Sequence, residues 1–580
     1  MSVFRPPAAQ AIDEAERGSA RHAGLAAARR RMLTRGAPTA VEVAGFGLVS
    51  LVFGAIVFGE YVANGGFSLD DWAYASESER YSGLGRLFHM TSNLLSTTRG
   101  LNLHDANAPL MSAGGRPGAA LYLSAMYTVF GSHPALHLAW TLFLAVVMST
   151  LFFWLLRILR LERFHAGAIA LLLVVFPAST ATRLWPAASV GPAAICLFLG
   201  GAILALYAFR TDGRRALAFH AGSVALYAAS LTVYEVALAA IALSGLLYAF
   251  VASWRKLAPR WGVDIVVAAL GALYVRHHGT RIQASVHTQI DRARTIESEA
   301  RTLLARLGVQ DGRVFLSLKL VAALVLVAIV LAVLLREDDP VRPLLRRALV
   351  LLGAGIVTIG VGYAVFVGAT DSFYAPLSRG IGNRTNTAAG LGFVIAVYAL
   401  ALLLALVVAR AVAAVAPARS QAVAAVVVCV AILAVGVVWV HAVTNDRRAW
   451  ERAASLRAHT LDVLAGLPKP AAGSSVYTFG VRGEAAPGVL IFDASWDLTG
   501  AIRMLWHDRT LRGLPGSSVD SLSCTRSGLQ PNGLFYSDVD RTTYAKTLFV
   551  DVSTGRSFVV GTRARCEATA RALLRKTPPT

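Results

Sequence analysis

Several stretches of this sequence carry almost no charge, and each supplies half or more of the apolar residues that a bilayer-spanning helix needs. Residues 422–440 consist only of Ala, Val, Cys, Ile, Leu, Gly and Trp, and 168–177 and 319–335 are nearly as apolar. A membrane-spanning helix needs about 20 such residues, and a backbone in lipid must satisfy its own hydrogen bonds. The sequence therefore predicts a polytopic α-helical membrane protein.

Composition supports this fold class over two others. Of the residues, 56% are hydrophobic and 15% are charged, whereas soluble domains carry about 25% charged residues. The apolar runs also lack the period-two alternation of β-barrel strands. The net charge is +21, but the arginines lie mostly between apolar runs. Membrane topology explains that charge better than nucleic acid does, so no nucleic-acid partner is predicted.

About eleven spans are predicted within a membrane domain at residues 40–445. They lie at about 41–63, 136–156, 165–184, 187–208, 216–232, 233–252, 262–277, 315–335, 348–368, 389–409 and 421–441. Residues 1–39 are polar, rich in Arg and without a signal peptide. They predict a disordered cytoplasmic arm.

The orientation follows from Lys and Arg in short loops. With the N-terminus inside, every inner loop is positively charged, and an odd number of spans places the C-terminus outside. The inner-loop residues are Arg157, Arg160, Arg163, Arg210, Arg214, Arg215, Arg255, Lys256, Arg260, Arg336, Arg342, Arg346, Arg347, Arg410 and Arg419. High Ala, Val and Arg content indicates a GC-rich genome, so the predicted location is a bacterial plasma membrane.

From residue 446 the composition becomes that of a soluble domain. Strands are predicted at 475–479, 489–492 and 547–552, and helices at 498–506 and 565–574, which together indicate a small α+β domain. Cys524 and Cys566 both lie in it, and outside the cell they can form a disulfide. Two free thiols are the alternative.

Three segments outside the bilayer lie on the same side as this domain. They are residues 64–135, 278–314 and 369–388. In the first, residues 118–130 form a short apolar piece that lies on or dips into the membrane. In the second, apolar residues recur at helical spacing between 290 and 307, which indicates an amphipathic surface helix.

Two adjacent carboxylates, Asp70 and Asp71, follow the first span. Carboxylates at a membrane boundary are costly to desolvate. They can bind a divalent cation or a hydroxyl-bearing substrate, and one can act as a general base. An ordinary acidic loop is the alternative.

Further polar residues gather on the same face. Arg116 precedes the short apolar piece, Arg183 lies at the outer end of the third span, and Glu235 lies at the end of an apolar stretch. Glu235 is a functional candidate or the partner of a neighbouring Arg. Arginines on this face can bind a phosphate through several N–H donors, or they can anchor the protein to lipid headgroups. The remaining candidates for substrate binding are Arg276, His277, His278, Arg379 and Arg384.

This arrangement resembles the GT-C superfamily of membrane glycosyltransferases, which includes protein O-mannosyltransferases, aminoarabinose lipid A transferases and arabinofuranosyltransferases. The resemblance rests on the Asp70-Asp71 pair, on Arg116-Pro117, on the turn from Phe176-Pro177 to Trp185, and on the stretch from Ser230 to Glu235. It covers roughly residues 40–440. Mannosyltransferases have a His-Pro-Pro sequence where this chain has Gly115-Arg116-Pro117.

The resemblance implies a polyprenyl-phosphate sugar as donor and an extracytoplasmic glycan, lipid or protein as acceptor. It implies inverting transfer of a hexosyl or pentosyl group in cell-envelope biogenesis, with Asp70 as base and Asp71 assisting it or holding a metal. Arg276, Arg379 and Arg384 would stabilise the leaving phosphate. The alternatives are a transporter or flippase of lipid-linked saccharides and a non-catalytic envelope-binding protein.

Overall fold

The computed structural model describes residues 38–96, 115–278, 342–367, 376–413, 419–516, 522–531 and 541–575, with a few short pieces between them. Three predictions fall outside the described residues. They are the structure of the N-terminal arm up to residue 37, the amphipathic helix at 290–307 and the span at 315–335.

Most of the described chain is helical. The helices in chain order are α1 (Ala40–Asn64), α2 (Asp70–Ser78), α3 (Gly83–Ser96), α4 (Pro117–Phe130), α5 (Pro134–Ile158), α6 (Arg163–Val174), α7 (Ala181–Leu184), α8 (Val190–Ala208), α9 (Gly213–Val233), α10 (Leu238–Ala242), α11 (Ser244–Ala249), α12 (Trp254–His278), α13 (Arg342–Val367), α14 (Thr387–Ala413), α15 (Ser420–Ala465), α16 (Ser495–Trp506) and α17 (Arg563–Leu574). Short 3-10 turns lie at Pro177–Ser179, Pro186–Ser189, Glu235–Ala237, Ile381–Asn386 and Tyr544–Lys546.

Eight helices in the described part of the chain are long and apolar enough to cross a membrane: α1, α5, α8, α9, α12, α13, α14 and α15. The polytopic helical class is therefore confirmed, but the count of about eleven is not. Two predicted spans are not continuous helices. The region 165–184 contains the 12-residue helix α6, and 233–252 contains only a 3-10 turn and the short helices α10 and α11.

The first of these breaks has a visible cause. Pro177 and Pro186 each begin a 3-10 turn, because proline lacks the N–H that would continue an α-helix and disfavours helical geometry in the residue before it. The second break is held by side chains of α12. The indole N–H of Trp261 donates to the carbonyl of Ala242 (2.8 Å), and Ser244 donates to Asp264 (2.9 Å).

The last membrane helix extends well beyond the lipid. Helix α15 has 46 residues, which corresponds to about 69 Å at 1.5 Å per residue. It passes without interruption through the predicted domain boundary at 445/446, and its C-terminal half buries Trp450, Arg457 and Leu464. A continuous helix thus joins the predicted membrane domain to the C-terminal region predicted to be soluble, which is called the soluble domain below.

The soluble domain is a small α+β unit. Its strands are β3 (Ser475–Phe479), β4 (Glu484–Ala486), β5 (Val489–Leu490), β6 (Arg512–Pro515), β7 (Leu522–Thr525), β8 (Gly528–Pro531), β9 (Thr547–Asp551) and β10 (Arg556–Val559), and the two-residue strands β1 (Val309–Gln310) and β2 (Arg313–Val314) precede them in the chain. The main sheet has the order β10-β9-β3-β6. Strand β3 pairs in parallel with β6 and β9, and β10 is antiparallel to β9.

Most of the elements predicted for this domain are present, with bounds that differ by a few residues. The exception is the strand expected at 489–492, of which only β5, paired with β4, is formed. Cys524 on β7 and Cys566 on α17 form the predicted disulfide, with 6.1 Å between their Cα atoms.

In the predicted outer segment 64–135, the described residues include the helices α2, α3 and α4, and the soluble domain packs on α2. At Gly500 of α16, a Cβ would lie 2.5 Å from the carbonyl carbon of Trp72 and 2.8 Å from the amide nitrogen of Ala73. Only a glycine allows two helix backbones to approach so closely. This contact brings the start of α16 to the acidic pair.

Candidate active site

Asp71 is a buried anchor. Its side chain has no solvent exposure. One carboxylate oxygen accepts a hydrogen bond from the amide of Ser68 (2.9 Å), and the other accepts one from the amide of Ala187 (2.8 Å). Burial raises the pKa of this carboxyl well above its usual range, and the two N–H donors oppose that rise. Asp71 thus ties the start of α2 to the 3-10 turn before α8.

Asp70 is the accessible member of the pair. It is partly exposed, and its Oδ1 accepts a hydrogen bond from the indole N–H of Trp496 (3.0 Å). Burial raises the pKa of Asp70, while the Trp496 hydrogen bond and the charge of Arg384 lower it. A carboxylate that is partly desolvated, held in place and still accessible suits a general base.

The backbone before the pair is strained. Leu69, the residue before α2, has φ +48° and ψ −119°, a conformation that a branched side chain rarely adopts. Its side chain is buried, and the Asp71 carboxylate closes the turn through Ser68. Strain of this kind persists only where surrounding contacts enforce it, and it is often found at functional sites.

Arg384 approaches Asp70 from the turn before α14. Its guanidinium lies over the ring of Trp185 (5.4 Å to the centroid) and donates to the carbonyl of Ile381 (2.7 Å). The soluble domain fastens this turn as well, since the amide of Ile381 donates to the carbonyl of Gly488 (2.8 Å). Gly380 has φ +66°, and a Cβ there would lie 2.2 Å from the same carbonyl oxygen.

Arg116 and Glu235 form a two-pronged ion pair. The Nε–Oε2 distance is 2.7 Å and the Nη2–Oε1 distance is 2.8 Å. Glu235 is 3% exposed and Arg116 is 22% exposed. The sequence predicts Glu235 to be either a functional residue or the partner of an Arg, and the structure shows an ion pair with an Arg. Arg116 also acts electrostatically on Tyr74, as do Asp70 and Asp71, so the ion pair flanks the acidic pair.

Arg183 lies inside the protein. It is 2% exposed, and its guanidinium donates to the carbonyls of Leu173 (2.7 Å), Ser179 (3.1 Å) and Phe176 (3.3 Å). These carbonyls end α6 and form the turn that follows it. The geometry supports a structural role for Arg183, as a clamp on the interrupted helix.

No contact among the described residues links the remaining sequence candidates to the acidic pair. Arg379 is 64% exposed and lies 3.8 Å from Asp446. Arg276 and His277 are exposed at the end of α12, and no described contact joins them to Asp70. Residue His278 ends the same helix.

The donor set does not favour a metal at the acidic pair. Both oxygens of Asp71 accept backbone N–H groups, and one oxygen of Asp70 accepts the Trp496 indole N–H. Within the described residues, no three His, Cys, Asp or Glu side chains are grouped so as to hold a metal ion. A divalent cation at the pair remains a prediction from the sequence, and no step proposed below uses one.

Sequence reasoning missed two residues that support the site. Trp496 is one, because its partner lies 426 residues earlier in the chain. Arg457, on α15, is the other: it is 1% exposed and acts electrostatically on Tyr61, Asp497 and Asp71. An Arg on a helix beyond the last span gives no local signal that it is buried.

No family model and no curated protein matches the sequence. Among solved structures, the chain is similar to the archaeal oligosaccharyltransferase AglB from Archaeoglobus fulgidus, in complex with an inhibitory peptide and a dolichol-phosphate. The two are 13% identical with a TM-score of 0.35, and the match covers 81% of this chain and 64% of that chain. A likeness at this TM-score carries no argument about the residues or the activity of this chain.

Proposed function

We propose that this chain is a membrane glycosyltransferase. It transfers a sugar from a polyprenyl-phosphate carrier to a hydroxyl group of an extracytoplasmic acceptor, with inversion at the anomeric carbon. The polyprenyl tail stays in the bilayer, and the phosphate and sugar lie at the face that carries α2 and the soluble domain. The site is that of Asp70, Arg384 and the Arg116–Glu235 pair.

The proposed reaction is a single displacement. The acceptor oxygen bonds to the anomeric carbon while the bond from that carbon to the phosphate oxygen breaks. Asp70 accepts the proton of the acceptor hydroxyl. Polyprenyl phosphate leaves with the bonding electron pair as a stable anion, so no strong general acid is needed.

The proposal rests on the difference in burial and hydrogen bonding between the two members of the acidic pair. Asp71 is fully buried with both oxygens occupied, whereas Asp70 is partly exposed and oriented by Trp496. The first residue of α2 also lies at the positive end of the helix dipole, which favours the carboxylate form. Asp70 is therefore the member of the pair that can reach an acceptor.

Arg384 is the best placed of the arginines to stabilise the leaving phosphate. It lies close enough to Asp70 to affect its pKa, it is partly exposed, and it stacks on Trp185, which limits its motion. A preorganised guanidinium costs little reorganisation as charge develops on the phosphate. The carboxylate of Glu235 holds Arg116 beside the same site.

The first experiment identifies the donor. Lipid-linked sugars and envelope glycans are compared in cells with and without the protein. We expect one polyprenyl-phosphate sugar to accumulate in its absence, together with the loss of one glycan linkage. That donor is then used with the purified protein.

The second experiment tests the base. We expect Asp70→Asn to abolish sugar transfer by purified protein that still folds, while Asp462→Asn, at an exposed position on α15, keeps full transfer. Full transfer by Asp70→Asn would refute the mechanism. If the wild-type protein transfers no sugar in detergent but moves the lipid-linked sugar between leaflets of vesicles, it is a flippase instead.

A further inference from the structure

A long apolar groove lies among the membrane helices, away from the acidic pair. Its volume is about 690 Å³. Helices α5, α8, α11, α13 and α14 all contribute to its wall, with lining side chains that include Phe152, Leu156, Phe198, Leu247, Val357 and Ile395.

The charge of the groove is confined to one end. Of the described residues that line it, only Arg160 and Arg347 are charged. They adjoin each other, since the Nη2 of Arg347 donates to the carbonyl of Arg160 (3.4 Å) and its Nη1 donates to Glu162 (2.9 Å). Arg160 is exposed at the mouth. This end faces the side of the arginine-rich loops, which is the predicted cytoplasmic side.

A third arginine reinforces this positive end. Arg210 donates to the carbonyl of Ile158 (2.7 Å) and interacts electrostatically with Arg160. Its Nε and Nη1 are buried and have no hydrogen-bond partner among the described residues. Buried guanidinium donors without a partner are costly, and an anion nearby would offset that cost.

The groove extends through most of the bilayer. Arg347 and Gly362 both line it and lie 15 residues apart on α13, which is about 22 Å along a helix out of a hydrocarbon core of about 30 Å. Its far end is lined by Val236, Ala237, Gly362 and Ala388, all of which are uncharged.

We propose that this groove binds a phospholipid with an anionic headgroup. The phosphate lies at Arg160 and Arg347, and an acyl chain extends along the groove towards Val236. Charge complementarity selects this orientation and this ligand. A lipid phosphate at the opposite end would meet a wall whose described lining residues are all uncharged. The proposal concerns a separate site and does not depend on the proposed function.

The test uses the full-length protein in lipid nanodiscs and needs no sugar transfer. Lipid retained after exchange into detergent is counted by native mass spectrometry, with phosphatidylglycerol, phosphatidylcholine or undecaprenyl phosphate as the probe. We expect one phosphatidylglycerol to be retained and a higher Tm than in phosphatidylcholine. Each arginine near a lipid phosphate contributes roughly fivefold in affinity, so Arg160→Gln with Arg347→Gln should weaken retention by about 25-fold.

One further variant tests whether the open volume of the groove is needed, and another controls for the loss of a surface arginine. Val357→Trp fills the groove and keeps both arginines, and it should also lose the retained lipid. Arg255→Gln removes an exposed arginine on the same face and should retain the lipid as the wild type does.

Three results would overturn the proposal. One is equal retention of phosphatidylcholine and phosphatidylglycerol. A second is retention of undecaprenyl phosphate that does not change in the double arginine variant, which would assign the groove to the sugar donor. The third is no retained lipid in any environment, as expected if the predicted span 315–335 fills the groove.

Discussion

The indole N–H of Trp496 donates a 3.0 Å hydrogen bond to Oδ1 of Asp70. Trp496 belongs to the soluble domain, and Asp70 begins the first helix after the first membrane span. The domain also holds the turn that carries Arg384, through the bond between Ile381 and Gly488. Two of the proposed catalytic groups are therefore positioned by a domain that the sequence presents as a separate appendage.

Removal of the Trp496 donor should change the pH dependence of transfer. The hydrogen bond stabilises the carboxylate and lowers the pKa of Asp70, so Trp496→Phe should raise that pKa. Because the base must be ionised to act, the acid limb of the kcat/KM profile should move to higher pH, with little change at high pH. The measurement is the rate of sugar transfer across the pH range.

A matched variant controls for the loss of an indole. Trp254→Phe changes a residue that is 66% exposed at the start of α12, and its pH profile should match that of the wild type. If Trp496→Phe lowers the rate equally at every pH, the residue supports the fold without tuning the base.

Arg384 should act on the chemical step. Loss of one preorganised donor that stabilises charge in the transition state costs about 100-fold or more in kcat, and Arg384→Gln should fall in that range. Arg379→Gln is the control, because Arg379 lies five residues earlier, is exposed and is close to Asp446. Equal kcat values for the two variants would remove Arg384 from the mechanism. Single-turnover kinetics separate the chemical step from product release.

The close packing of α16 on α2 should be sensitive to a single methyl group. In Gly500→Ala the new Cβ would lie 2.5 Å from the backbone of Trp72, so one of the two helices must shift. Overpacking of this kind costs about 1–3 kcal/mol of unfolding free energy. Transfer should fall as well, because the shift moves Trp496 relative to Asp70. Thermal unfolding and the transfer rate are measured on the same preparation.

The control for this change is Gly59→Ala on α1, where nothing lies within 4 Å of the new Cβ. Alanine in a helix interior is favoured over glycine by about 0.5–1 kcal/mol, so this variant should be as stable as the wild type or slightly more so. Equal losses of stability in both variants would mean that the contact of α16 with α2 is not tight in solution.

Local sequence patterns predict the class of fold and the secondary structure of the soluble domain well. Apolar runs identify the membrane helices, and alternating or periodic segments identify β3, β9, α16 and α17 to within a few residues. The patterns fail where a helix is interrupted. The region 233–252 is apolar enough to be a span, but the ion pair of Glu235 with Arg116 and the bonds from α12 hold it as short pieces.

Only part of the candidate site could be predicted from the sequence. Adjacent Asp70 and Asp71 stand out in the sequence, yet nothing local indicates that one is buried and the other accessible. That difference comes from the amide of Ala187 and the indole of Trp496, which are remote in the chain. Hydrogen bonds over such separations leave no periodicity, so only the folded structure reveals them.

The candidate site is predicted to lie on the extracytoplasmic side of the membrane. The distribution of positively charged loops predicts that the soluble domain, and Asp70 with it, lies outside the cell. Cys566→Ser breaks the disulfide and frees the thiol of Cys524, and a maleimide that cannot cross membranes should label it in intact cells. Arg255→Cys, in a predicted inner loop, should be labelled only after the cells are permeabilised. Cys196 and Cys429 are replaced with Ala in both variants, so that the signal reports one position. If the pattern is reversed, Asp70 faces the cytosol, where an acceptor outside the cell cannot reach it, and the proposed reaction fails.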